Sequence, residues 1–123
     1  MSVLAVLLTV VAGGLGAVLR WAVSLLFARR ILPWAVLTVN AVASAIGGAV
    51  LGLADIGAVD VGIRLILLSG IAGGLSTFST FSVETIQLVQ TGRWRIAVAS
   101  VAANLAVGLG LASAAYTIVA ALA

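Results

Sequence analysis

The 123-residue sequence is 64% hydrophobic and only 7% charged, well below the roughly 25% charged residues of a typical soluble domain. This composition excludes a water-soluble globular protein and predicts one that is embedded in a lipid bilayer. The absence of cysteine and histidine excludes disulfides, haem ligation and the usual zinc sites. The net charge of +3 comes from six arginines and three acidic residues. Four of the arginines lie in predicted short loops, which suits lipid headgroups as partners and argues against nucleic acid.

Four apolar stretches, at about 3–27, 33–54, 62–90 and 94–122, are each long enough to cross a hydrocarbon core of about 30 Å at 1.5 Å per residue. The sequence therefore predicts an all-α membrane protein in which residues 1–123 form a single domain of four transmembrane helices. The first stretch lacks the positively charged start of a signal peptide and exceeds its usual apolar length. We therefore expect it to remain in the mature protein.

The first predicted helix carries a charge well inside its apolar stretch. Arg20 lies about seven residues before the end of that stretch. Such a residue either extends its guanidinium to the headgroups or faces a cavity or partner within the protein, and both interpretations stay open. After the loop at 28–32, Pro33 suits the first position of the second helix, because proline has no N–H to leave unpaired there.

Small residues recur at helical spacing in the second and third predicted helices. Ser44, Gly48 and Gly52 are each four residues apart, as are Gly70 and Gly74. This spacing lets the backbones of neighbouring helices approach closely. We therefore predict a tightly packed bundle from these positions, and no function.

Three further polar side chains lie at membrane depth. Asn40 is about eight residues into the second helix, Glu84 lies in the second half of the third, and Asn104 near the middle of the fourth. A polar group at such depth costs a few kcal/mol and usually faces a partner or a cavity. The asparagines therefore either join helices or line a cavity, and Glu84 is either a structural partner of Arg20 or part of a site.

The most informative segment is 70–84, where glycines and hydroxyl side chains interrupt an apolar span. Lipid cannot hydrogen-bond an open backbone, so we predict that the third helix is broken near residues 73–77 inside protein or beside a water-filled cavity. Carbonyls left unpaired around Gly73 and Ser76 suit a cation such as Na⁺, whereas the N-terminus of the resumed helix favours an anion.

Two phenylalanines follow the predicted break. Phe78 and Phe81 are three residues apart and share a helix face, beside the hydroxyl groups of Ser79, Thr80 and Ser82. The edge of an aromatic ring is positive, so rings presented edge-on attract an anion without a formal charge. Hydroxyl groups do the same. The alternative is a phenylalanine pair that only packs in the bundle.

The ends of the spans carry the expected interfacial residues. Trp21, Trp34 and Trp94 all lie near predicted span ends, where tryptophan is enriched in membrane proteins. Gly92 predicts the end of the third span, because glycine readily adopts the left-handed conformation that terminates helices.

Three segments, taken in order, resemble one known family. They are GGLGAVLRW at 13–21, LTVN at 37–40 with Ser44 and Gly48 after it, and GGLSTFSTFSVE at 73–84. Over essentially its whole length the chain resembles the small fluoride channels of the CrcB/Fluc family. The third segment is highly specific, and the three together are close to decisive.

The resemblance implies a membrane channel and not an enzyme. It implies passive export of F⁻ across the cytoplasmic membrane of a prokaryote, which relieves fluoride toxicity. It further implies an antiparallel, dual-topology type dimer of four-helix subunits with two pores. A central structural Na⁺ is the implied cofactor, held by backbone carbonyls at positions that match Gly73 and Ser76.

The resemblance also assigns the fluoride pore. Phe78 and Phe81 match the pore-lining phenylalanines, Asn40 the pore asparagine, and Arg20 the arginine of the first helix. The polar side of the pore matches Ser79, Thr80 and Glu84, and the candidate set is completed by Ser82 and Asn104.

The sequence departs from the family pattern in two helices. Ala35 and Val36 stand where the family usually has Gly-Thr, and Ser100 and Asn104 where Tyr and Ser are usual. These changes leave the lining of the fourth helix open and the phenylalanine motif intact.

Two other classes of protein fit parts of the sequence. A small multidrug-type exporter has four spans, but it needs a glutamate in its first helix, where this chain has only Arg20, so Glu84 would be its sole titratable carboxylate. A structural four-span subunit that conducts nothing gives no reason for donors clustered at a broken helix. Both remain as alternatives to the channel.

The arginines predict an orientation in the membrane. With four spans, the first and third loops share one side and the second loop shares the other with both termini. The first side holds Arg29, Arg30, Arg93 and Arg95, and the other only Arg64. The positive-inside rule therefore predicts that both termini lie outside the cytoplasm. The partner is then either a second copy, inserted the opposite way, or a homologous subunit of opposite orientation.

Overall fold

The structure is a computed structural model, and it describes residues 2–27 and 33–122. Helices α1 (Val3–Leu26) and α2 (Trp34–Asp55) form the first two spans. The third span, Val61–Gln90, is divided into α3 at 61–75 and α4 at Ser79–Gln90, and α5 (Trp94–Ala121) is the fourth. The prediction of four long apolar helices is confirmed. The predicted loop at 28–32 lies outside the described residues.

The helix ends follow local chemistry. Helix α1 begins after Ser2, whose hydroxyl accepts the N–H of Ala5 at 3.1 Å, and α3 begins after Asp60, whose carboxylate accepts the N–H of Ile63 at 2.8 Å. Gly92 ends α4 in a left-handed conformation with φ +80°, as predicted. Pro33 precedes α2 as its N-cap, one position earlier than expected, and Trp34 is the first helical residue.

Helix α3 changes type before it ends. It starts as an α-helix at Val61–Leu65, widens into a seven-residue π-helix at Ile66–Ala72, and closes with one α-helical turn at Gly73–Leu75. A π-helix is rare and is frequently found at functional sites. The break itself lies at 76–78, where Ser76 adopts an extended conformation with φ −72° and ψ 157°.

The predicted break of the third helix near residues 73–77 is confirmed, but the glycines themselves are helical. Gly73 is helical, with φ −65° and ψ −40°, and Gly74 lies within the same helical turn. Gly74 serves packing instead, because a Cβ at this position would overlap the backbone of Gly13 in α1. The chain leaves the helix two residues later, at Ser76.

The predicted small-residue faces pack as expected. Helix α2 makes its most extensive contact with α5, and there a Cβ on Gly48 would overlap the backbone of Ala112. A Cβ on Gly52 would lie 3.1 Å from Tyr116 O. Helix α3 packs on α1 in the same way, since a Cβ on Gly70 would lie 2.8 Å from the methyl group of Ala12.

A small apolar core lies beside the break, at the end of α3. It joins Val39 and Ala43 of α2 to Ala72 and Leu75 of α3. Most other large apolar side chains face outwards, as they do in a protein whose solvent is lipid. The core therefore fixes α2 against the end of α3, and this contact positions the polar groups described next.

Candidate functional site

Asn40 binds both backbone groups of Thr77, a residue within the break. Its Oδ1 accepts the N–H of Thr77 at 2.8 Å, and its Nδ2 donates to the carbonyl of the same residue at 3.0 Å. A backbone N–H only donates and a carbonyl only accepts, so this pair fixes the orientation of the amide. Asn40 therefore supplies the hydrogen bonds that the open helix cannot make for itself.

Asn104 extends this network to α5. Its Oδ1 accepts the second proton of the Asn40 amide at 3.4 Å, and its Nδ2 donates to Ser100 O at 2.8 Å. Both N–H groups of Asn40 are thus used within the protein. One N–H of Asn104 has no acceptor among the described residues. Asn40 therefore joins helices, with Asn104 as its partner, and both asparagines also line a cavity.

Arg20 points into the break and not towards the headgroups. Its Nη1 donates to Ser76 O at 3.1 Å, and the residue is half-buried. Glu84 does not pair with it through Oε2, because that buried oxygen has no hydrogen-bond partner among the described residues. Glu84 Oε2 therefore does not form the structural pair with Arg20 that the sequence left open.

The break separates two sets of free backbone groups. The N–H of Thr77, which would close a further helical turn onto Gly73 O, donates to Asn40 instead, so Gly73 O is left without that donor. On the other side, the first N–H groups of α4 have no partners within the helix. One of them, the N–H of Thr80, donates to Thr77 Oγ1 at 3.0 Å. The break thus presents carbonyls at one end and N–H groups at the other.

A cavity of about 370 Å³ lies against the break on the side of α5. Phe78 and Phe81 line it, with ring centroids 6.2 Å apart and ring planes inclined at 49°. The remaining residues of its lining are Asn40, Ser44, Ser76, Thr77, Val101, Asn104 and Leu105. Two tilted rings and the Asn104 amide therefore share one space, although Phe78 is 80% exposed in the single subunit.

A second cavity of about 290 Å³ lies on the other side of the break, between α1, α2 and α4. Arg20 and Glu84 both line it, together with Trp21, Ser24 and Thr80. A guanidinium, a carboxyl group and the three hydroxyl side chains of Ser24, Thr77 and Thr80 give this cavity a polar character. It is the place where the structure brings the two charged candidates together.

Most of the predicted site residues line one of the two cavities at the break. Asn40, Phe78, Phe81, Asn104 and Ser76 line the larger one. Arg20, Thr80 and Glu84 line the smaller one. Gly73 lines neither of these, but with Ser76 it lines a shallower cavity of about 280 Å³ beside α2. Ser79 is exposed and Ser82 half-buried, and neither is in the lining of these three.

Thr77 is the residue that the sequence prediction missed. It is only 7% exposed, it binds Asn40 through its backbone, and its hydroxyl caps α4 through the N–H of Thr80. A threonine three residues before the N–H that it accepts is a recognisable helix-start pattern. That spacing, applied to the segment after the glycines, identifies Thr77 as the cap of the resumed helix.

Comparison with known proteins identifies the family of the chain. Residues 7–116 match the family model described as CrcB-like protein, Camphor Resistance (CrcB). The chain is 38% identical over 116 residues to a protein of Serratia proteamaculans named fluoride-specific ion channel FluC, covering 89% of this chain and 88% of that one. It is 41% identical over 113 residues to a protein of the same name from Pyrococcus abyssi, covering 90% and 92% respectively. The chain belongs to the CrcB family of membrane proteins.

Proposed function

We propose that the chain is a subunit of a fluoride-selective channel that lets F⁻ leave the cell passively across the cytoplasmic membrane. The observation that carries this proposal is the larger cavity, where Phe78 and Phe81 lie beside the amide of Asn104. Relatives from Serratia proteamaculans and Pyrococcus abyssi are named fluoride-specific ion channels, which supports the same conclusion.

The chemistry of the cavity suits a small, strongly hydrated anion. An ion without partners in a low dielectric costs on the order of tens of kcal/mol, so the pore must replace the lost water with donors. Ring edges, amide N–H groups and hydroxyls are such donors, and they carry no formal charge. Neutral donors also let the ion leave again, which conduction requires.

The single subunit leaves this path open on one side. Phe78 is 80% exposed, and an ion beside it would face lipid unless another protein surface covered it. A second subunit placed against the break closes the path, which supports the antiparallel dimer with two pores. The site is incomplete without that partner, so assembly belongs to the mechanism.

The carbonyls at the break fit a structural Na⁺. Gly73 O lacks its helical donor because Asn40 takes the N–H of Thr77, and a hard cation of this kind prefers oxygen ligands. Ser76 O already accepts one N–H from Arg20, but a carbonyl oxygen has a second lone pair. Two carbonyls are too few to replace a hydration shell, so the same pair from a second subunit would complete the site.

Flux from liposomes tests the proposed function directly. The purified chain is reconstituted, the vesicles are loaded with potassium fluoride, and efflux is followed with a fluoride electrode after valinomycin is added. We expect rapid F⁻ efflux without an imposed proton gradient, and little Cl⁻ efflux under the same conditions. Efflux that appears only with a proton gradient would indicate an exporter coupled through Glu84, and no efflux from protein that has assembled as a dimer would indicate a structural subunit.

A further inference from the structure

Thr77 occupies the junction of the two cavities at the break. It is the one residue that lines both the cavity of Arg20 and Glu84 and the cavity of Phe78 and Phe81. An ion that moves between these cavities within one subunit therefore passes Thr77.

The hydroxyl proton of Thr77 is the one polar group of this residue without a partner. Its N–H and C=O both bind Asn40, at 2.8 and 3.0 Å, and its Oγ1 accepts the N–H of Thr80 at 3.0 Å. The O–H has no acceptor among the described residues, although the residue is only 7% exposed. A buried donor without an acceptor is uncommon and indicates a water molecule or an ion.

The same contacts prepare this hydroxyl to act as a donor. Asn40 fixes the backbone of Thr77, and the bond from Thr80 fixes Oγ1, so only the proton is free to rotate. A hydroxyl that accepts an N–H is also polarised, which strengthens it as a donor in a low dielectric. The oxygen is therefore held at the junction before any ion arrives.

We infer that the Thr77 hydroxyl donates a hydrogen bond to the permeating anion as it passes between the two cavities. This inference rests on the proposed function, because it takes F⁻ as the anion. The competing acceptor is a water molecule shared with the buried Oε2 of Glu84, which has no partner of its own among the described residues. The two occupants differ in their response to fluoride.

Substitution of Thr77 tests whether its hydroxyl group donates to the ion. Thr77→Val keeps the branched shape and removes the hydroxyl, so F⁻ efflux should fall at least tenfold, whereas Thr77→Ser keeps the hydroxyl and should stay within threefold of the unmodified protein. Thr85→Val is the matched control in α4, the helix that follows the break, since the Thr85 hydroxyl already donates to Phe81 O at 2.7 Å. Normal efflux in an assembled Thr77→Val protein would overturn the inference.

Loss of the helix cap is a second effect of Thr77→Val, so a measurement on the unmodified sequence is needed as well. The threonine methyl groups are labelled with carbon-13, and Thr77→Ser, which lacks the methyl, assigns the signal of Thr77. Adding sodium fluoride should shift the Thr77 signal progressively and leave that of Thr85 in place, while equal sodium chloride should shift neither. An unchanged Thr77 signal, or the same shift with chloride, would overturn the inference whether or not Thr77→Val assembles.

These outcomes are distinct from failure of the proposed function. If the unmodified protein assembles as a dimer and conducts no fluoride, the channel proposal itself is wrong. If it conducts fluoride and the Thr77 methyl does not respond, only the role of Thr77 is wrong.

Discussion

At the scale of single residues, the break is held by side chains that come from other helices. Arg20 of α1 binds Ser76 O, and Asn40 of α2 binds both backbone groups of Thr77. Lipid would leave these backbone groups unpaired, and each unpaired buried group costs about 1–3 kcal/mol. The contacts remove that cost. The same residues that make the break tolerable therefore also shape the path beside it.

Replacing either phenylalanine at the break should block the path and leave the fold intact. Phe78→Ile and Phe81→Ile keep an apolar side chain but remove the positive ring edge, so we expect fluoride efflux to fall more than tenfold. Phe27→Ile is the control, because Phe27 lies at the end of α1, away from the break. Efflux that stays normal in both variants would show that the rings only pack.

Asn40→Asp should abolish flux and weaken the fold. The amide N–H₂ that now binds Thr77 O and Asn104 Oδ1 would become a carboxylate oxygen facing two acceptors. With about 1–3 kcal/mol for each unsatisfied group, we expect a clear fall in melting temperature together with loss of efflux.

The control for this change is Gln90→Glu, the same amide-to-acid replacement at the exposed last residue of α4. Both its efflux and its melting temperature should match those of the unmodified protein. If Asn40→Asp conducts normally, the hydrogen bonds of Asn40 are not needed to hold the path open.

At the scale of helices, close backbone contact is the main packing device. A side chain on Gly48 would overlap α5, and one on Gly74 would overlap α1. Without water to drive apolar groups together, such small-residue contacts are what bring membrane helices together. The glycines are therefore structural even where they precede the break.

Gly48→Ala should separate α2 from α5. The added methyl group has no room beside Ala112, and overpacking of this kind typically costs about 1–3 kcal/mol. Gly110→Ala is the control in α5, because nothing lies within 4 Å of a Cβ there, so alanine should be neutral or slightly stabilising. Thermal unfolding in detergent measures both, and equal melting temperatures would contradict the packing argument.

The spans and packing faces were predictable because they depend on composition and on residue spacing. The bounds of the helices and the contacts of Gly48 and Gly70 follow from these local signals. The role of Asn40 was not predictable, because its partner Thr77 is 37 residues away. The helical state of Gly73 was missed for a similar reason, since the contact of α3 with α1 appears only once the chain has folded.

At the scale of the whole molecule, orientation decides which partner the subunit takes. The first and third loops together hold four arginines, two of them at positions 29 and 30 outside the described residues, and the side with the termini holds only Arg64. This asymmetry predicts insertion mainly one way. A subunit of fixed orientation needs a homologous partner of opposite orientation, whereas one that inserts both ways forms a homodimer.

Cysteine labelling in intact cells measures this orientation, because the chain has no cysteine of its own. Ser2→Cys should react with an impermeant maleimide from outside, and Thr91→Cys only after the cells are permeabilised. Thr91 is chosen over Gly92 because Gly92 has φ +80°, which cysteine adopts with strain. Equal labelling of both positions from outside would contradict a fixed orientation and favour the homodimer.

Close backbone contacts group four helices into two halves of the subunit, which meet at the small apolar core beside the break. Glycine contacts join α1 to α3, and others join α2 to α5, so each pair would move as one body. The break is fastened to both halves at neighbouring residues, Ser76 to α1 through Arg20 and Thr77 to α2 through Asn40. If one half slid past the other, the displacement would therefore strain the peptide group that joins Ser76 to Thr77. The two hydrogen-bonded contacts therefore fix the width of the ion path beside this peptide group. We expect a path that is permanently open.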